Sequence, residues 1–85
     1  MASEEEFRAA SDRVQGLPKK PSNDDLLELY GLYKQATVGD VEGKRPGMLD
    51  MRGRAKFDAW ASRKGTSAAD ARAAYVRAVA RLEGK

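Results

Sequence analysis

At 85 residues and 9.3 kDa the chain has room for one small domain; with 41% hydrophobic and 34% charged residues it can build a core, and it is too apolar for a disordered chain. It contains no Cys and no His, which excludes disulfides, thiolate chemistry, the commonest metal ligand and the commonest general base. Sixteen Lys and Arg against thirteen Asp and Glu leave a formal charge of +3, so a binding module with an anionic partner is a better expectation than an enzyme.

Helical signals dominate from the start. Ser3 with Glu6 forms a capping box, and Glu4, Glu5 and Glu6 suit the positive end of a helix dipole. Phe7, Ala10, Val14 and Leu17 recur at three- and four-residue spacing, and Gly16 and Pro18 stop the pattern, which predicts a helix over 4–16. After the linker LPKKP, Ser22 caps a second helix over 23–37, with Leu26, Leu29, Tyr30, Tyr33 and Thr37 along its apolar side and Leu27 widening it. Residues 38–49 hold three glycines and a proline, and Arg45-Pro46-Gly47-Met48 fits a type II turn. Asp50 caps a third helix that Gly65 stops, with Ala55, Ala59 and Trp60 able to pack. Ser67 with Asp70 opens a fourth, whose face Ala71, Ala74, Tyr75, Ala78, Val79 and Leu82 runs to about residue 83. No strand-like alternation survives, and the predicted architecture is an all-α four-helix bundle.

Tyr30, Tyr33 and Lys34 share one helical face, where two phenols and an ammonium can stack on a flat ring and hold a phosphate. Lys44, Arg45, Arg52, Arg54 and Lys56 form a basic run, with Arg52 and Lys56 four apart on one face; together with Lys34 they could surround a polyanion. Trp60 reads as a structural anchor, and Tyr75, by its periodicity alone, as core. No Walker loop, dinucleotide fingerprint or metal-ligand spacing is present. Two classes of function fit these residues: a module for a phosphate-bearing, partly flat and partly apolar small ligand, or a small basic helical domain for nucleic acid, with a protein-interaction bundle as a third. Asp58 interrupts the cations of the third helix, which disfavours a nucleic-acid recognition helix.

The string YGLYKQATVGDVEGKRPGMLDMRGRAKFDAWASRKGTS over 30–67 resembles the acyl-CoA-binding protein family, whose signature is a Y..YKQAT helix, then VGD, RPG, a GKAKWDAW-like helix and a KGTS turn. Phe7, Ala9, Ala10 and the AAY context of Tyr75 extend the likeness over nearly the whole chain. The resemblance implies one acyl-CoA-binding domain over 1–85, a bundle in up-down-down-up order with a long connection between the second and third helices, and no catalysis. It implies a carrier and pool-former for medium- to long-chain acyl-CoA, needing no cofactor or metal. Such a protein is expected to be a cytoplasmic monomer with no nucleic-acid partner and no stable membrane association. By the same resemblance Tyr30, Lys34 and Lys56 grip the ribose 3′-phosphate. Tyr33 and Tyr75 lie beside adenine and ribose, Arg52 borders the ligand, and Leu27 shelters the acyl chain. Gln15 stands where the family often has Lys, with Arg13 the nearby cation that could replace it. Phe57 replaces a usual Trp and Met51 a usual aromatic.

Overall fold

Each helix begins where a short oxygen-bearing side chain caps it. Ser3 caps helix α1 (Glu4–Arg13), with the full capping box to Glu6 formed. Ser22 accepts from the Asp25 amide at the start of α2 (Asn23–Thr37), Asp50 from Gly53 at α3 (Met51–Ala61), and Ser67 from Asp70 at α4 (Ala68–Glu83). This computed structural model describes residues 3–84, and among them there is no strand. The expected bounds 1–85 include Met1, Ala2 and Lys85, which lie outside the described residues.

The first helix tightens into a 3-10 turn over Val14–Gly16, so the predicted span 4–16 holds in two parts. The third is shorter than predicted. It ends at Ala61, and Arg63 and Lys64 donate to Trp60 and Ala61 three residues back, closing tighter turns before Gly65.

Helix α2 is the centre of the packing, with α4 on one side and α3 on another, while α1 lies on α4. Phe7, Ala10, Leu29, Leu32, Tyr75, Ala78, Val79 and Leu82 form the buried core. Each fully buried side chain of Leu or Val size contributes about 1.5–3 kcal/mol. The buried stripe of α2 is Leu29, Leu32 and Gln35; of the predicted face Leu26, Leu29, Tyr30, Tyr33 and Thr37, Leu29 is buried and Tyr30 half buried, while Leu26, Tyr33 and Thr37 are exposed. A helix clasped from two sides buries more than one stripe, and the second side of α2 faces α3 and the solvent beyond it.

The connection 38–50 is tied down at three points. Trp60 donates its indole N–H to the Gly39 carbonyl at 2.7 Å. Asp40 accepts from Gln35 at 2.8 Å and from the Gly65 amide at 2.9 Å. Arg45 makes a two-pronged contact to Asp58 of α3, at 2.9 and 2.6 Å. Gly39 and Gly65, at φ 102° and 90°, occupy backbone that side chains disfavour. The predicted type II turn is not formed, because Gly47 does not take positive φ. Instead the Asp50 amide donates to the Gly47 carbonyl at 3.0 Å, which puts Met48 and Leu49 at the corners of the turn, both exposed.

Candidate functional site

Two grooves meet on the α2 surface. One, of about 410 Å³, lies between the end of α1 and α2; Gln15, Tyr30, Tyr33 and Tyr75 line it, with Val14, Pro21, Leu26 and Leu29 supplying apolar wall. The other, of about 450 Å³, lies between α2 and α3; Leu27, Arg52 and Lys56 line it together with Asn23, Leu26, Met51 and Ala55. Leu26 belongs to both, so the grooves adjoin. This exposed Leu, read from sequence as core, is a groove residue; the extra apolar width of Leu26-Leu27 on a helix already supplied with a core stripe was its signal.

The cations are placed by rings. Lys56 of α3 holds its ammonium 5.4 Å from the centre of the Tyr30 ring of α2, and Lys34 of α2 holds its own 5.2 Å from that of Trp60 of α3. Each such pair contributes about 0.5–1 kcal/mol at an exposed site. These reciprocal contacts cross the α2–α3 gap and bring Tyr30, Lys34 and Lys56 to one region. Lys34 lines neither groove, and it is half buried rather than fully solvated.

Three aromatic rings join α1, α2 and α4. Phe7 stacks on Tyr33 at 5.5 Å between centroids and 28° between planes, and meets Tyr75 edge-on at 5.0 Å. Tyr33 is 41% exposed, while Tyr75 is 4% exposed. Tyr75 is core, as its periodicity predicted, and it also lines the α1–α2 groove. Burial pushes the Tyr75 phenol above its ordinary pKa, opposed by the Ser11 hydroxyl, so it remains a neutral hydrogen-bonding group near pH 7.

Two expected cations are engaged elsewhere. Arg45 is held by Asp58, whose carboxyl that contact keeps below its ordinary pKa. Arg13 points to Glu83 of α4, at 3.0 Å, so it does not replace the charge missing at Gln15. Arg52 remains on the α2–α3 groove. No helix among the described residues is long and apolar enough to cross a membrane.

Comparison with known proteins matches residues 4–79 to the family described as Acyl CoA binding protein. An acyl-CoA-binding protein of Gossypium hirsutum is 50% identical over 82 residues, covering 96% of this chain and 92% of its own. An acyl-CoA-binding protein homolog of Drosophila melanogaster is 46% identical over 81 residues, with coverages of 95% and 94%. Among solved structures, acyl-CoA-binding protein 2 of Oryza sativa superposes with a TM-score of 0.87 at 46% identity, covering 92% of this chain and 87% of that one.

Proposed function

The chain belongs to the acyl-CoA-binding protein family, and from that premise we propose that it binds medium- to long-chain acyl-CoA thioesters without covalent chemistry, carrying and pooling them in the cytoplasm. The observation that carries this reading is the junction of an apolar groove with a cation-and-ring cluster: Leu26 and Leu27 beside Lys56 on Tyr30. A thioester with an acyl tail and an anionic nucleotide end needs both surfaces within one ligand length.

In this proposal Tyr30, Lys34 and Lys56 hold the 3′-phosphate, and Tyr33 and Tyr75 lie beside adenine and ribose. Arg52 borders the ligand and Leu27 shelters the tail. Gln15 contributes a neutral contact where a charge is usual in the family. Residues 1–85 act as one domain and one monomer, with no cofactor, no nucleic-acid partner and no stable membrane association.

Calorimetry with a ladder of acyl-CoA lengths, free CoA and free palmitate tests it. Palmitoyl-CoA should bind more tightly than either of its parts; palmitate binding equally well would overturn the reading. Lys34→Ala and Lys56→Ala should each weaken palmitoyl-CoA binding by about ten- to a hundred-fold, the worth of one charge-assisted hydrogen bond. The same variants should lose far less against a dephospho-CoA ester. Equal losses on both ligands would remove the 3′-phosphate assignment while leaving thioester binding intact.

A further inference from the structure

A third cavity, of about 370 Å³, opens among residues of α1, the C-terminal half of α2 and the start of α4. The stacked Phe7 and Tyr33 rings line it, and its cations are Arg8 and Arg72. Ser11 and Tyr33 line both this cavity and the α1–α2 groove, so the two spaces share a wall.

Arg13, Arg45, Arg63 and Arg81 all have a carboxylate within ion-pair distance; among the described residues Arg8 and Arg72 have none, as is also true of Arg52, Arg54 and Arg77, but only Arg8 and Arg72 meet in one cavity. Arg72 is half buried, and its Nε, shut off from solvent, has no hydrogen-bond partner. A donor withdrawn from water without an acceptor is unfavourable until one arrives. Glu4 also lines the cavity, so two cations face one acid there and the balance is positive.

The geometry points to a phosphate-binding site in this cavity, with Arg8 and Arg72 as donors, touching the proposed thioester site through Tyr33. Planar guanidinium forks match phosphate oxygens, and one phosphate offers oxygens to both forks at once, where a carboxylate is filled by one. The space exceeds a bare ion, and the aromatic wall suits the carbon part of a phosphate ester. Two sources share this chemistry: a free phosphate ester, or the diphosphate of a bound CoA thioester reaching past Ser11. The second source rests on the function proposed above; the site itself does not.

The test is a titration of inorganic pyrophosphate into the ligand-free protein, followed by calorimetry and by amide NMR shifts, with an Arg8→Gln/Arg72→Gln variant and a Lys34→Ala/Lys56→Ala variant in parallel. Far-UV circular dichroism and melting confirm that both variants are folded. Pyrophosphate should also reach the lysine cluster, so the local shifts decide: the amides of Ser11 and Tyr33 should shift in the wild-type protein and in the lysine variant alike, and in the arginine variant those shifts should need about tenfold or more pyrophosphate. Shifts at Ser11 and Tyr33 that persist unchanged in the arginine variant, or that vanish in the lysine variant, overturn the site. Repeating the titration with saturating palmitoyl-CoA separates the sources. Retained pyrophosphate binding identifies a free phosphate ester as the occupant. Exclusion, with weaker palmitoyl-CoA binding by the arginine variant, identifies the thioester's own diphosphate. If palmitoyl-CoA does not bind at all, the ligand-free titration still decides the site.

Discussion

Gln35 is 1% exposed and is the one buried polar residue among the core positions of the described chain. Its amide nitrogen donates to the Asp40 carboxylate and to the Thr66 carbonyl, both at 2.8 Å, so a single side chain closes the VGD loop and the KGTS turn against α2. Three pieces of the sequence signature are therefore held together by structural bonds, away from both grooves. Gln35→Leu keeps most of the volume and removes both bonds; it should destabilise by about 1–3 kcal/mol. For a domain of this size that lowers the melting midpoint by about 4–8 °C per kcal/mol. Gln35→Glu should be worse near neutral pH, because it sets a buried carboxylate against two acceptors. Its folded-state pKa would lie above the ordinary value, so its deficit should shrink as the pH is lowered through that raised pKa. A Gln35→Glu deficit that is the same at low and neutral pH would show that the two acceptors do not face residue 35. Asp40 titrates with the opposite sign. The Gly65 amide, and after it Gln35, hold its carboxyl below its ordinary pKa. Its contribution is therefore complete above the ordinary carboxylate pKa and lost as pH falls through the lowered one. The stability difference between the parent and Asp40→Asn should be flat around neutrality and close only in strong acid.

At the scale of elements, the approach of α2 to α3 decides the width of the apolar groove. Gly31 makes that approach possible: a Cβ added there would collide with the Ala59 carbonyl oxygen and sit 2.8 Å from its carbon, both backbone atoms that cannot swing aside. Gly31→Ala gains up to about 1 kcal/mol of helix propensity but overpacks the contact by about 1–3 kcal/mol, so the balance is destabilising. Thermal melting should show a lowered midpoint, and a raised one would mean that α3 moves away at little cost. The helices themselves were legible in the sequence because caps and periodicity agree: Ser22 and the residues through Thr37 define α2 to the residue. What was not legible depended on partners distant in sequence. The buried stripe of α2 could not be chosen before it was known that two helices flank it. The turn at 45–48 looked right by residue type, yet Arg45 is drawn to Asp58, and the chain turns two residues later, at Gly47–Asp50. In the candidate site, Tyr30, Tyr33 and Lys34 could be grouped by helical spacing alone. That Lys56 would meet Tyr30, and Lys34 would meet Trp60, required the α2–α3 crossing. The Arg8–Arg72 pair, 64 positions apart, left no local trace.

Across the whole molecule the packing is uneven. Helices α1, α2 and α4 share the buried core, while α3 has no fully buried residue and packs chiefly on α2. Its remaining ties are few: the reciprocal lysine–ring contacts, the Trp60–Gly39 hydrogen bond and the exposed Arg45–Asp58 pair. Segments with few buried apolar contacts open at lower free energy than the global unfolding reaction. In the ligand-free protein the amides of 51–61 should therefore exchange with deuterium faster than those of 71–82. An acyl-CoA held by Tyr30 and Lys34 on one side and Arg52 and Lys56 on the other would span this weak seam. It would bind the closed arrangement and not the one with α3 detached. At a hundred-fold excess of ligand over Kd, linkage adds about 2.7 kcal/mol to such an opening, which slows exchange in α3 by about a hundred-fold. Amides of α4 that exchange only by global unfolding should slow by a similar factor. Those in the exposed turn at Met48 and Leu49, outside both grooves, should barely change. Hydrogen-exchange mass spectrometry with and without palmitoyl-CoA reads all three regions together. Protection confined to α1 and α4, with α3 unaffected, would mean that the ligand does not bridge the α2–α3 seam, and the roles proposed for Arg52 and Lys56 would fall with it.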